Sequence, residues 1–329
     1  MKILIIGSRD RYERFLPEKI RSGPFQLEFA ARGSSNEQLL ALASDTEVIL
    51  ADAISPVDRP LMEAMPNLKL VHSEGVAYNA IDIDYARQRN IFVCNNQGCN
   101  ADAVAEQTLM LMLMLLRHGV TGDRAVREGR QIQHKEQAMS DGITELGECT
   151  VGLIGLGDIA QATARVLRAI GCTVYYYAPH RRDTHTEASL SVSYLPLEEL
   201  IATCDIVSLH CPVTEQTRNM VNEHFLSRMK PTAYLINTGR GDLVDNAALR
   251  AALVEGRIAG AGLDTIAPEP TPADHPLVNL PEAVRDRVVY SPHLGGITTG
   301  SFRRAHRNMW NSVIGLTQGK RPDHIVNGL

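Results

Sequence analysis

Short apolar runs alternate with amphipathic stretches along almost the whole chain. Lys2–Ile6, Val48–Ala51, Leu68–Ser73 and Ile91–Cys94 are too short for helices and nearly continuously apolar, the pattern of strands covered on both faces. Between them, Asn36–Ser44, Arg59–Met65 and Asp84–Arg89 have helical spacing. A second series begins at Thr150. It predicts strands at Thr150–Ile154, Thr173–Tyr177, Ile206–His210, Ala233–Asn237, Gly260–Leu263 and Val288–Ser291. Helices are expected at Ile159–Ile170, Leu197–Thr203, Glu223–Met229 and Asn246–Glu255, with one more at about Thr299–Gln318. Strands alternating with helices argue an α/β chain with parallel sheets, the second a six-stranded, Rossmann-type doubly wound unit.

The two series are joined by a stretch of another kind. Asp102 to about Arg130 is helical in pattern, with a break near Gly119–Gly122 and a cap from Asn100 or Asp102. Its segment Leu109–Leu116 is apolar on every face, which predicts burial against more than one partner. A single small sheet would not cover it fully, so a homodimer joined through the second unit is expected.

Length and charge narrow the class. A chain of 329 residues is long for one domain and favours two. Lys+Arg 33 against Asp+Glu 38 gives a net charge of −5, which argues against nucleic acid as the main partner. Leu109–Leu116 is far short of the ~20 residues that cross a bilayer. The start, MKILIIGSRD, has too short an apolar stretch for a signal-peptide core, so a soluble, cytoplasmic protein is expected. The six cysteines are scattered without a CxxC, which favours reduced, buried thiols over disulfides or a metal site.

The strongest local signal for chemistry is Gly155-Leu-Gly157-Asp-Ile-Ala160, directly after an apolar strand and opening an amphipathic helix. Gly155 permits a tight turn, Gly157 lets backbone approach a pyrophosphate, and Ala160 is small enough for close helix–strand packing. This is a dinucleotide site. The strand after it ends in Ala178 where a ribose-binding acid is expected, and His180, Arg181 and Arg182 follow. Loss of the acid and gain of cations favour NADP(H) over NAD(H), which stays possible. Arg240, Glu269 and His293 each lie after a strand of the same sheet, on the edge that carries the glycine loop.

Five segments together resemble the D-isomer-specific 2-hydroxyacid dehydrogenase family, which includes glyoxylate/hydroxypyruvate reductases. They are Glu145 to Gly157, Cys204 to Thr217, Met229 to Gly241, Gly262-Leu-Asp264 with Pro268-Glu-Pro270, and Ser291-Pro-His-Leu-Gly-Gly296. The similarity runs from about Val71 to Pro322. It implies a catalytic triad of Arg240, Glu269 and His293, with His293 as acid/base, Glu269 favouring the imidazolium and Arg240 on the substrate carboxylate. It further implies that Asp158 and Ile159 follow the pyrophosphate, Cys211-Pro212 the adenosine end, Thr238-Gly239-Arg240 the cofactor, and Asp264 the nicotinamide end. His293, Gly295 and Gly296 complete that cofactor set.

The resemblance makes Val76 and Ala77 a backbone nest for the substrate carboxylate, with Tyr78 and Asn100 near the active site. Ala77 stands where the family commonly has glycine, and Asn79-Ala80 where Asp-Asn or Asp-His is usual. The expected organisation is residues 1–99 and 297–329 as a smaller, flavodoxin-like substrate domain, with residues 100–296 inserted as the cofactor domain and substrate held in a cleft. The implied activity is NADP(H)-preferring reduction of a small 2-keto acid to the D-2-hydroxy acid. The alternatives are an NAD-dependent D-lactate- or phosphoglycerate-type dehydrogenase, and a dinucleotide-sensing corepressor-like binding protein.

Overall fold

The computed structural model describes residues 1–329. The chain divides into two compact units, Met1–Asn100 with Thr298–Leu329, and Ala101–Ile297.

The first unit opens with β1 (Lys2–Ile6), α1 (Arg9–Arg14), α2 (Glu18–Arg21), β2 (Gln26–Ala30) and α3 (Asn36–Ala43). It continues with β3 (Val48–Ala51), α4 (Arg59–Glu63), β4 (Leu70–Ser73), α5 (Ile83–Gln88) and β5 (Phe92–Cys94). The strands form one parallel sheet in the order β2-β1-β3-β4-β5. Ser35, Asp58 and Asp82 cap α3, α4 and α5 by accepting backbone N–H bonds, so turn chemistry sets where these helices start.

The second unit begins with α6 (Ala101–Leu116), α7 (Gly119–Arg127) and α8 (Gln131–Asp141). Its sheet region runs β6 (Thr150–Ile154), α9 (Asp158–Ile170), β7 (Thr173–Tyr177), α10 (Thr184–Leu190), β8 (Ser193–Tyr194), α11 (Leu197–Thr203) and β9 (Ile206–Leu209). Then follow α12 (Glu223–Arg228), β10 (Tyr234–Asn237), α13 (Asn246–Val254), β11 (Gly260–Leu263), α14 (Glu282–Arg285) and β12 (Val288–Tyr290). All seven strands are parallel, in the order β12-β11-β10-β9-β6-β7-β8. Helix α15 (Thr299–Thr317) returns the chain to the first unit, where Met309, Trp310 and Val313 are buried against Ile3, Ile5 and Leu50.

Three expectations need correction. The second sheet has seven strands rather than six, because the two-residue β8 at its edge is too short to leave a periodic signal. The break after α6 falls at His118, which takes a left-handed φ of 51°, while Gly119 and Gly122 lie inside α7. Leu109–Leu116 is not buried on every face: Leu111, Met112, Leu115 and Leu116 join the core, but Met110 and Leu113 stay exposed at 39% and 37%. No helix is long and apolar enough to cross a membrane.

The sheet order reverses at β6, with β7 on one side and β9 on the other. In an open α/β sheet this switch point leaves a crevice beyond the carboxyl ends of the strands, where ligands bind.

Candidate active site

The glycine loop stands at that point. Gly155 has φ +100°, and its N–H bonds to the Tyr177 carbonyl oxygen at 2.7 Å. A Cβ here would lie 2.7 Å from the His210 carbonyl oxygen, so only glycine lets the loop pass this close to β9. A Cβ on Gly157 would meet nothing within 4 Å, which leaves space over the loop. Asp158 and Ile159 begin α9, whose first turn has no side-chain cap. With glycine at the N-cap, the positive end of the helix dipole is a favourable place for an anion. Ala160 is fully buried in the core behind them. A glycine turn at positive φ, open space over Gly157 and a helix start with glycine at its N-cap together fit a dinucleotide pyrophosphate.

The end of β7 is more occupied than its sequence indicates. Ala178 leaves no acid there. Arg181, however, gives both arms of its fork to Glu187, at 2.8 Å each. The Tyr176 hydroxyl donates to the same carboxylate at 2.7 Å. The Arg181 guanidinium and this hydroxyl hold the Glu187 carboxyl down to about 2. Arg182 makes no ion pair; its Nη2 donates to the Leu156 carbonyl oxygen at 3.1 Å, alongside the glycine loop. His180 is exposed. Of the three donors expected for a 2′-phosphate, Arg181 is thus already neutralised and Arg182 is the free cation.

Beyond β9, burial pushes the Cys211 thiol up to about 11, so it is not a nucleophile. The Pro212 carbonyl accepts from Thr217 Oγ1 at 2.7 Å, which fixes the turn. Burial also pushes His210 down to about 4, and Ser208 Oγ lies 2.9 Å from its Nε2.

After β10, Asn237 organises the next loop: its Oδ1 accepts from the Gly239 N–H and its Nδ2 donates to the Arg240 carbonyl oxygen. Thr238 Oγ1 pairs with Thr108 Oγ1 of α6 at 2.9 Å. The Arg240 guanidinium is exposed and bonds only the Gly239 carbonyl oxygen, with no acidic partner. An unpaired guanidinium on this edge is ready for a carboxylate.

Asp264, at the end of β11, is buried and builds the turn that carries His293. One carboxylate oxygen accepts from Ser291 Oγ at 2.5 Å and the Leu294 N–H at 2.9 Å; the other accepts from the Gly295 N–H at 2.9 Å. The backbone N–H of His293 donates to the Asp264 carbonyl oxygen at 2.9 Å. These bonds hold His293 at φ +54°, a left-handed conformation that a non-glycine residue keeps only where its surroundings enforce it. Both side-chain oxygens of Asp264 are thus committed to this turn, which ends at Gly295-Gly296. His293 Nδ1 lies 2.8 Å from Glu269 Oε2, and both side chains are a little under half exposed. A carboxylate on Nδ1 fixes the ring and turns Nε2 outward, the arrangement of a proton-transferring imidazole.

Motif reading did not find Gln107 of α6, whose Nε2 donates to Ser291 Oγ at 2.7 Å and extends the Asp264 network. An amide inside a helical stretch leaves no local signal for such a bond.

In the first unit, the loop after β4 is held by its carbonyls. Ser73 Oγ donates to the Ala77 oxygen, Asn95 Nδ2 to that of Val76, and Asn96 Nδ2 to those of Ser73 and Glu74. The Asn96 N–H takes the Gly75 oxygen. No protein acceptor takes the Val76 or Ala77 N–H, so two adjacent donors are left for an anion. Tyr78 packs partly buried against the core.

The profile of the D-isomer specific 2-hydroxyacid dehydrogenase NAD binding domain matches residues 109–295. The chain belongs to the D-isomer specific 2-hydroxyacid dehydrogenase family. It is 36% identical over 293 residues to a glyoxylate reductase of Korarchaeum cryptofilum, covering 89% of this chain and 86% of that protein. Two solved structures share the fold along its length. The NAD-complexed D-isomer specific 2-hydroxyacid dehydrogenase of Lactobacillus delbrueckii ssp. bulgaricus superposes with a TM-score of 0.81 at 28% identity, covering 99% of this chain and 100% of that one. An acyclic imino acid reductase in complex with NADPH and D-Arg gives 0.81 at 25% identity, with the same coverage. This member of the family is accordingly a nicotinamide-dependent D-2-hydroxyacid dehydrogenase.

Proposed function

We propose that the chain reduces a small 2-keto acid, glyoxylate or hydroxypyruvate foremost, to the D-2-hydroxy acid and prefers NADP(H). The observation that carries the chemistry is the His293–Glu269 pair at 2.8 Å on the same sheet edge as the acid-free Arg240.

Gly155, Gly157 and the start of α9 would hold the pyrophosphate, with Ala178 and Arg182 at the adenosine ribose. When bound, the dinucleotide supplies the hydride in reduction and accepts it in oxidation. His293 Nε2 donates a proton to the keto oxygen, or removes the hydroxyl proton in the reverse direction. Glu269, at Nδ1, holds the ring so that Nε2 is left for the substrate. Arg240 binds the substrate carboxylate and polarises the neighbouring carbonyl. In the first unit, the free N–H groups of Val76 and Ala77 form an anion-binding element of their own. Asp264 acts through the turn it builds, as a positioning residue for His293.

Steady-state assays with glyoxylate, hydroxypyruvate and pyruvate, each with NADPH and NADH, test the reading. Turnover of the first two is expected; no oxidation of either cofactor with any of the three would contradict it and favour a binding protein instead.

A further inference from the structure

The first unit carries a basic concavity of about 470 Å³, lined by Arg14, Phe15, Lys19, Arg303, Arg307 and Asn311, with Leu16, Pro17 and Ile314 as its apolar part. Arg303, Arg307, Asn311 and Ile314 recur at helical spacing along one face of α15. Arg14 is the last residue of α1 and Lys19 lies in the first turn of α2. None of the four cations has an ion pair, and no carboxylate lines the concavity. The nearby acids are turned elsewhere, Glu13 to Arg9 and Glu18 to Arg21. Helix α15 itself contains no Asp or Glu.

Like charges four residues apart on a helix repel one another, so Arg303 and Arg307 work against α15 unless something neutralises them. Four unpaired cations around one hollow call for a multiply charged anion. Guanidinium forks match the oxygens of phosphate in pairs. The volume is that of a small-molecule site, not of a surface that tracks a polymer.

We propose that this concavity binds a small soluble molecule bearing two or more phosphate groups, at a site separate from the dinucleotide. Phe15, whose ring lies under the Arg14 guanidinium at 5.5 Å, and Ile314 would face the less polar part of such a ligand.

Inorganic triphosphate is the probe, titrated calorimetrically into the intact chain at low salt. The dinucleotide site is first filled with saturating NADPH, or with NADH in a parallel series. One triphosphate per chain is expected, with affinity falling as salt rises. Arg303→Gln with Arg307→Gln should weaken it by about tenfold or more, as loss of charge-assisted bonds does. Lys19→Gln, at an exposed position, gives a milder second arm of roughly threefold. Keto acid turnover should stay at the wild-type value in both, and melting temperature should not fall, since the double variant relieves the repulsion along α15. No saturable binding, or an affinity unchanged in both variants, overturns the proposal.

Discussion

His293→Ala is expected to lower kcat by about 10²–10⁴-fold, the usual worth of a general acid–base group, while dinucleotide affinity stays near wild type. The glycine loop and α9 are built by other residues, so the substitution leaves them intact. Arg240→Ala should behave differently. It removes a group that holds the ground-state carboxylate as well as the transition state, so KM should rise while kcat falls. The two profiles, measured by steady-state kinetics with hydroxypyruvate, separate proton transfer from anchoring. Near-normal turnover in His293→Ala would remove this histidine from the mechanism.

The second large effect concerns the cofactor. Without a carboxylate at Ala178, the strand position that would repel a 2′-phosphate holds no acid, and Arg182 is a free cation beside the glycine loop. Arg182→Ala should weaken NADPH relative to NADH by about 1.5–3 kcal/mol, the worth of a hydrogen bond to a charged group. Arg181→Ala should do less, because its fork is held by Glu187. Ala178→Asp added to Arg182→Ala should turn the preference toward NADH. Fluorescence titration of both reduced cofactors reads these shifts. A wild-type kcat/KM higher for NADH than for NADPH would contradict the reading of this strand end.

Much of this was legible before any coordinates, for physical reasons. Both faces of a parallel sheet are covered, so β1, β3, β6 and β9 are nearly unbroken apolar runs that stand out from the amphipathic helices. The glycine loop is legible because a positive φ and a close backbone approach leave few alternatives to glycine. β2, with Gln26 and Glu28 at the sheet edge and only partly buried residues, lacks that contrast. The same holds for α8, which buries none of its residues. At the site, sequence order brings Arg240, Glu269 and His293 to one sheet edge. It does not reveal how side chains are spent. That Arg181 pairs with Glu187, that Asp264 holds the His293 turn and that Gln107 joins it all depend on partners distant in sequence or out of register, and no local pattern encodes them.

The most direct test of the proposed reaction is the product formed from hydroxypyruvate by the wild-type protein with NADPH. Chiral analysis of the glycerate should give the D-isomer alone, one molecule for each NADPH oxidised. Formation of L-glycerate, or the absence of glycerate with both NADPH and NADH, would contradict it.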